Sequence, residues 1–402
     1  MFGKSLWGMA VVGRGARGAV RSGSAVAARL AGREHGRLED HEAYLAVIDR
    51  LNKASAAKHC EAYVDIPWDD ARFQVDKDDP RWVLPPFDRL GETAWYRSQS
   101  PQVQAQIGLW RLAAAMKTGL QFENLLKQGL LSFAYRLPNG SPEFRYLYHE
   151  TAEECQHGMM FQEFVNRTGM PIKGMPQVLS LVGELARWVP LLSPELFFVF
   201  VLGGEEPIDH MQRKMLRQGC LDHPLAEAIM RLHVAEEARH ISFAQHYLRH
   251  RVPQMGRVRR GVLGLITPFA LGGMARIMLL PPGAMVRHFA IPRPVVREAY
   301  RNAGTRAEIC ASVGRTRDLM FSLGLVTPVN EPVWKALGIW DAPRARRPRP
   351  AAPRTAGKEA GTVHGGTEPE PSAVARRPHP VQGAATDRHR TAIGPENDRS
   401  GR

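Results

Sequence analysis

None of the four cysteines in this chain, Cys60, Cys155, Cys220 and Cys310, stands in a Cys-x-x-Cys pair. That excludes the usual iron–sulfur and zinc-ribbon spacings, and it leaves no basis for a disulfide framework. A reducing compartment, the cytoplasm, is expected. Acids are absent from residues 1–33, which hold six Lys/Arg, and residues 344–402 hold twelve Lys/Arg against six acids. The two ends therefore supply +12 of the formal net charge of +14, and the interior is close to neutral. A basic nucleic-acid groove is not expected, because the charge sits on the ends. Also missing is an unbroken run of the roughly 20 apolar residues that span a bilayer. The nearest approach, Gly261 to Met285, is interrupted by Pro268, Gly272, Gly273, Arg276, Pro281 and Pro282. It reads as buried helices, and membrane contact is not expected.

Residues 1–33, rich in Arg, Ala, Gly and Ser, have the composition of a transit peptide but no apolar run of signal-peptide length. They read as an unfolded extension. Residues 342–402 turn to Pro, Arg, Ala, Gly and Thr, too poor in large apolar side chains to offset ordering entropy, and read as a disordered tail. The expected folded domain is 34–341. Within it, Ser100-Pro101, Ser141-Pro142 and Ser193-Pro194 each place an N-cap hydroxyl before a proline suited to the first turn of a helix. His223-Pro224 is a weaker version. Gly169 and Gly219 are placed as helix stops. The expectation is an all-α, four-helix bundle with helices near 102–135, 143–168, 195–218 and 225–250, and a shorter helix at 177–188. Residues 34–100 form an irregular lead-in, and 255–340 form flanking helices.

The chemistry lies on those four helices. Glu154-Cys-Gln-His157 puts a carboxylate and an imidazole on one helix face at i, i+3, and His233, Glu237 and His240 form one stripe at i, i+4, i+7. Any one Glu taken alone is by default a surface residue. The surroundings argue otherwise. Glu123 shares its face with Met116, Leu120, Leu126 and Leu130, and Glu206 follows the run Phe197-Phe-Val-Phe-Val-Leu202. Buried carboxylates without cations cost several kcal/mol each (roughly). One Glu from each of four helices, two of them in Glu-x-x-His, is the ligand set of di-iron carboxylate bundles. Four carboxylates balance two ferrous ions. Manganese is the rival metal, and zinc ordinarily takes fewer ligands. Helix geometry does not choose between the adjacent Glu205 and Glu206. Pro207 follows directly and is expected to bend or bulge the helix. Glu205, Asp209, Gln156 and Glu236 are candidates for hydrogen bonds around the ligands.

Over roughly residues 100–250 the sequence resembles the p-aminobenzoate N-oxygenase family of ferritin-like di-iron oxygenases. The resemblance is carried by His233-x-x-x-Glu237-x-x-His240, in which the first His is additional to the usual Glu-x-x-His. The 27-residue step from Glu206 to His233, and Pro224 nine residues before His233, also match. It implies a ferritin-like bundle and the metal ligands Glu123, Glu154, His157, Glu206, His233, Glu237 and His240, and it selects Glu206 over Glu205. It also implies two iron ions (Fe2+/Fe3+) and no catalytic residue beyond the metal centre. The implied activity is a monooxygenase that uses O2 to convert an arylamine to hydroxylamine, nitroso or nitro products. The expected partners are a small-molecule substrate, O2 and an external electron donor, since the chain has no iron–sulfur cysteine pattern. A homodimer is compatible with the sequence. Two other readings compete: a di-iron hydroxylase or desaturase acting on an acyl or lipid-like substrate, and an iron-handling or structural bundle. Phe122, Leu126, Phe161, Phe198, Leu202 and Phe243 are either substrate-pocket residues or plain core.

Overall fold

Three Ser-Pro steps and one His-Pro step open the four long helices. The computed structural model describes residues 38, 40–176 and 188–341. Helix α1 (residues 40–57) is followed by an irregular lead-in. The bundle proper is α2 (Pro101–Ala134), α3 (Pro142–Arg167), α4 (Pro194–Gln218) and α5 (Pro224–Arg251). Ser100 and Ser193 accept the backbone N–H of Val103 and Leu196, each at 3.3 Å, and His223 Nδ1 accepts that of Leu225 at 3.3 Å. Ser141 departs from the expectation: its hydroxyl donates to Glu143 at 2.6 Å instead. Gly219 closes α4 in the left-handed conformation at φ 60°, where a side chain would be strained. The proposed helix at 177–188 and both terminal segments lie outside the described residues.

Short connections join α2 to α3 and α4 to α5, so each pair packs side by side. A long crossover links α3 to α4. This is the all-α, ferritin-like arrangement, and no strand occurs among the described residues. Two apolar clusters fill the bundle. One contains Leu126, Leu130, Phe198, Leu202 and Phe243, and the other contains Met116, Phe161, Phe164 and Ile229. On α2 the change from one cluster to the other falls around Glu123, and on α5 it falls at His233 to His240. A polar layer is therefore enclosed by apolar packing on both sides.

The lead-in holds α2 at close range. A Cβ built on Gly108 would lie 1.7 Å from the carbonyl oxygen of Trp82. Trp82 in turn stacks on His223 at 3.9 Å between ring centroids. Because the obstacle is backbone, it cannot rotate away. Gly108→Ala is expected to cost about 3 kcal/mol, the upper end for overpacking, read as a lower midpoint in denaturant unfolding.

Pro207 does not interrupt α4, which is helical throughout. The segment read as helices, Gly261 to Met285, is α6 (Arg257–Leu279), which runs through Pro268, and the start of a short helix at Gly283–His288. The carbonyl of Gly264, left without its helical donor by Pro268, accepts Asn330 Nδ2 at 2.8 Å. Helix α6 packs along α4 and buries Leu263, Thr267, Leu271 and Ala275. Its length and composition are enough to cross a membrane, yet only about half of the apolar window (56%) is buried. The expectation of a fully buried segment is corrected here: Val258, Val262, Leu265 and Phe269 are exposed.

A surface network ties α4 to a flanking helix, Ala303–Ser312. Glu308 takes His210 at 3.0 Å and Lys214 at 2.8 Å. The hydrogen bond from His210, then the one from Lys214, outweighs burial and lowers the Glu308 carboxyl to about 2. A depressed carboxyl stabilises the fold above its unfolded value near 4.5 and stops doing so as the pH falls through about 2. Because the side chain is 32% exposed, the expected contribution is about 1–2 kcal/mol after allowing for screening. Glu308→Gln should show that deficit at neutral pH, and the gap to the parent should close between about pH 5 and pH 2.

Candidate metal centre

Six of the seven residues singled out from the sequence meet in the polar layer. Glu154, His157, Glu237 and His240 form one group, and Glu123, His157 and His233 form another. Within each group the potential ligand atoms lie within 4.8 Å of one another, and His157 is common to both. His240 Nδ1 is 2.9 Å from Glu154 and 3.3 Å from Glu237. His157 Nδ1 is 3.4 Å from Glu237, and His233 Nε2 is 3.5 Å from Glu123 and 3.4 Å from Glu237. All six are at most 1% exposed. Two adjoining groups sharing a member suit two ions better than one.

The seventh residue is a correction. Glu206 does not face the cluster. Its carboxylate accepts the backbone N–H of Arg315 and of Thr316, each at 2.8 Å. These open α7 (Gly314–Ser322), a helix without a side-chain cap of its own. Glu206 therefore caps a neighbouring helix, where a carboxylate satisfies unpaired N–H groups and complements the helix dipole. Its neighbour Glu205 lies on the cluster side of α4. It is buried, its Oε1 has no hydrogen-bond partner, and it faces the other carboxylates. Burial, and then the charges of Glu237, Glu154 and Glu123, hold its carboxyl well above the usual range.

Around these residues lies a ring of partners that sequence reasoning found only in part. Each histidine turns one ring nitrogen toward the cluster and the other toward a fixed group. His157 Nε2 meets Glu236 at 2.9 Å, His240 Nε2 meets Glu153 at 2.8 Å, and His233 Nδ1 meets Gln212 at 2.8 Å. Arg239 bridges Glu153 and Glu236, at 2.9 and 3.2 Å. The lead-in contributes too, since the Cys60 N–H donates to Glu236 at 2.7 Å. Such contacts fix ring orientation and tautomer in metal sites. Of the candidates for this ring, Glu236 belongs to it. Asp209 pairs instead with Arg213 and Arg315, and Gln156 bonds the lead-in at Ala62 and Glu61. Glu153 and Gln212 were missed. Their signal was spacing: Glu153 lies four residues before His157, and Gln212 lies seven after Glu205, two turns on along the same face of α4.

The electrostatics call for positive charge. Burial disfavours charge on every member. Against that, Glu154, Glu236 and Glu237 raise His157 well above its ordinary value, and Glu237, Glu153 and Glu154 do the same for His240. Glu237 is held well below the carboxylate range: burial opposes this, and His240 and His233 outweigh it. Glu150, one turn before Glu154, is fully buried with neither oxygen hydrogen-bonded, and burial pushes it up to about 8. Glu123 Oε2, Glu154 Oε2, Glu205 Oε1, Glu237 Oε2, His157 Nδ1 and His233 Nε2 are all buried and without hydrogen bonds. So many unpaired oxygens and nitrogens around one spot would be costly for a purely structural core. They fit a pair of cations held by carboxylate and imidazole.

A cavity of about 120 Å3 opens between α2 and α4. Its walls are mostly apolar and include Trp82, Leu112, Met116, Ile208, Met211, Met215, Met230 and Met278, with Phe161 and Gln212 at one side. Phe161 packs on the His233 ring at 4.9 Å, and Gln212 bonds that same ring. The cavity thus ends against the residues that position His233. Of the six aromatic and leucine candidates for a pocket, only Phe161 lines it. Leu126, Phe198, Leu202 and Phe243 are core, and Phe122 packs where a Cβ on Gly204 would lie.

Comparison with known proteins places this geometry. Residues 41–324 match the family described as p-aminobenzoate N-oxygenase AurF. The match extends well beyond the four-helix core, into the lead-in and the flanking helices. An uncharacterized protein of Mycobacterium bovis is 41% identical over 312 residues, 77% of this chain and 92% of the relative. Uncharacterized proteins from two strains of Mycobacterium tuberculosis show the same identity and coverage.

Proposed function

The chain belongs to the p-aminobenzoate N-oxygenase family, a family of di-iron oxygenases, and on that premise we propose that it N-oxygenates an arylamine to hydroxylamine, nitroso or nitro products. The observation that carries the reading is the convergence of six donors from three helices, His233 among them, on one buried spot, with Glu205 of the fourth helix turned toward it. In this reading Glu123, Glu154, His157, Glu205, His233, Glu237 and His240 hold two iron ions. When bound, the iron pair supplies reductive activation of O2, with electrons from an external donor. Each first oxygenation consumes one O2, two electrons and two protons, places one oxygen on the amine nitrogen and releases the other as water.

The rest of the work falls to the chain itself. Apolar clusters on both sides of the polar layer keep water from the reacting centre. Glu236, Glu153 and Gln212 hold the three imidazoles in one orientation. The cavity between α2 and α4 brings a small molecule to the His233 side of the layer.

A second reading, hydroxylation or desaturation of an acyl or lipid-like substrate, draws on that same cavity. Its lining is rich in methionine, a side chain that adapts to apolar ligands. Its two arginines are already engaged, Arg81 with Asp79 at 2.5 Å and Arg111 with Asp88 at 3.4 Å. One experiment separates the readings. The protein is loaded anaerobically with Fe2+, supplied with reductant and O2, and offered separate panels of arylamines and fatty acyl compounds, with products identified by mass spectrometry. N-oxygenated amines support the first reading. Oxygenated or desaturated acyl products without them support the second. Full loading with neither product removes both.

A further inference from the structure

From Ala238 to Arg297 the chain contains no Asp or Glu, and ten arginines fall in that interval. At its centre lies α6, whose outer face is apolar. Val258 is 81% exposed, Val262 50%, Leu265 51% and Phe269 59%, with Ile266 beside them. Their steps of four, three and four residues put them on one side of the helix. Single exposed apolar side chains are ordinary, but a continuous stripe on a helix is not. Arg257 and Arg259 are exposed at the N-terminal end of that stripe. Leu192, 81% exposed, belongs to the same end, because Arg259 pairs with Glu195 in the first turn of α4.

We propose that the outer face of α6 seats the protein on an anionic lipid surface, lying in the interface rather than crossing it. The inner face is committed to α4, so the helix is not free to insert as a span. What remains is an apolar stripe with cations at one end, the composition of a helix that beds into the headgroup layer. The charge also selects among occupants. A second copy docked on this face would set one arginine-bearing helix against another. Anionic headgroups answer that charge directly. The C-terminal turn of α6 contributes Met278 and Leu279 to the cavity wall, so the helix that meets lipid also borders the cavity.

The test uses the full chain and sedimentation with two kinds of vesicle, phosphatidylcholine alone and phosphatidylcholine with phosphatidylglycerol. Binding is expected on the anionic vesicles and not on the neutral ones. Val262→Glu/Phe269→Glu should weaken it about tenfold or more, with helical content and iron loading as controls for folding. Should that variant fold poorly, Val262→Ser/Phe269→Ser repeats the measurement with a smaller loss. No binding by the parent chain overturns the proposal. So does equal binding by folded variant and parent, which would assign the attraction to the basic ends. A parent dimer that the variant splits, measured by sedimentation velocity, would give the face to a second copy and also overturns it. None of these readouts depends on the reaction catalysed.

Discussion

Glu205→Ala is expected to abolish binding of at least one of two metal ions, and Glu206→Ala is expected to retain both. The two residues are adjacent and both buried, yet they face different neighbours. Glu205 looks into the layer holding Glu123, Glu154 and Glu237, with an oxygen that has no hydrogen-bond partner. Removing it takes away a donor and one of the four negative charges that two divalent ions balance. Activity should fall by about 100-fold or more, beyond the 10–100-fold typical of changes one layer further out. Glu206→Ala acts through the fold instead. It uncaps α7, leaving the N–H groups of Arg315 and Thr316 without their acceptors. The cost should be about 1–3 kcal/mol in denaturant unfolding. Metal analysis of both purified variants, together with unfolding curves, separates the two roles. The opposite pattern, metal lost from the Glu206 variant and kept by the Glu205 variant, would sink the assignment.

Why this pair was the one site residue left ambiguous by helix phase is visible in the packing. Elsewhere the sequence carried its own orientation. Glu123 lies on a stripe of Met116, Leu126 and Leu130, and His233, Glu237 and His240 continue the buried face of α5. Each of those helices has an outer side, so burial has a phase. Helix α4 does not: from Phe197 to Pro207 nearly every side chain is buried, because α5 covers one side and α6 and α7 cover others. With no exposed face there is no phase to read, and a spacing match between Glu206 and His233 chose the residue whose carboxylate caps α7. The helix boundaries were legible because Ser-Pro and Gly act locally. The cavity was not, because it is walled by residues from the lead-in, α2, α4, α5 and α6, and no local pattern announces such a meeting. The consequence of a proline was legible only in part. A proline's missing donor is a local fact, whereas the repair at Gly264 comes from Asn330, distant in sequence.

The outer ring should matter nearly as much as the ligands. Glu236→Gln and Glu153→Gln are each expected to weaken metal affinity by 10–100-fold, measured by competition with a chromophoric chelator. The substitution is chosen to keep shape. The one amide oxygen can still accept from the Cys60 N–H, which keeps the lead-in in place, while the NH2 group falls opposite the His157 ring and cannot accept from it. What disappears is negative charge behind the imidazole, which makes the opposite nitrogen a better donor to a cation. Glu236 acts on His157, common to both groups of ligands, and Glu153 acts on His240, which belongs to one. The Glu236 variant should therefore weaken both ions and the Glu153 variant chiefly one. Gln212→Leu supplies the contrast, because Gln212 is neutral and holds His233 by geometry alone. Its loss should loosen the ring and cost less affinity than either charge change. If all three variants bind metal as the parent does, these buried groups serve packing only. The role given to Glu236, Glu153 and Gln212 in holding the imidazoles would then have to be given up, although the fold would stand.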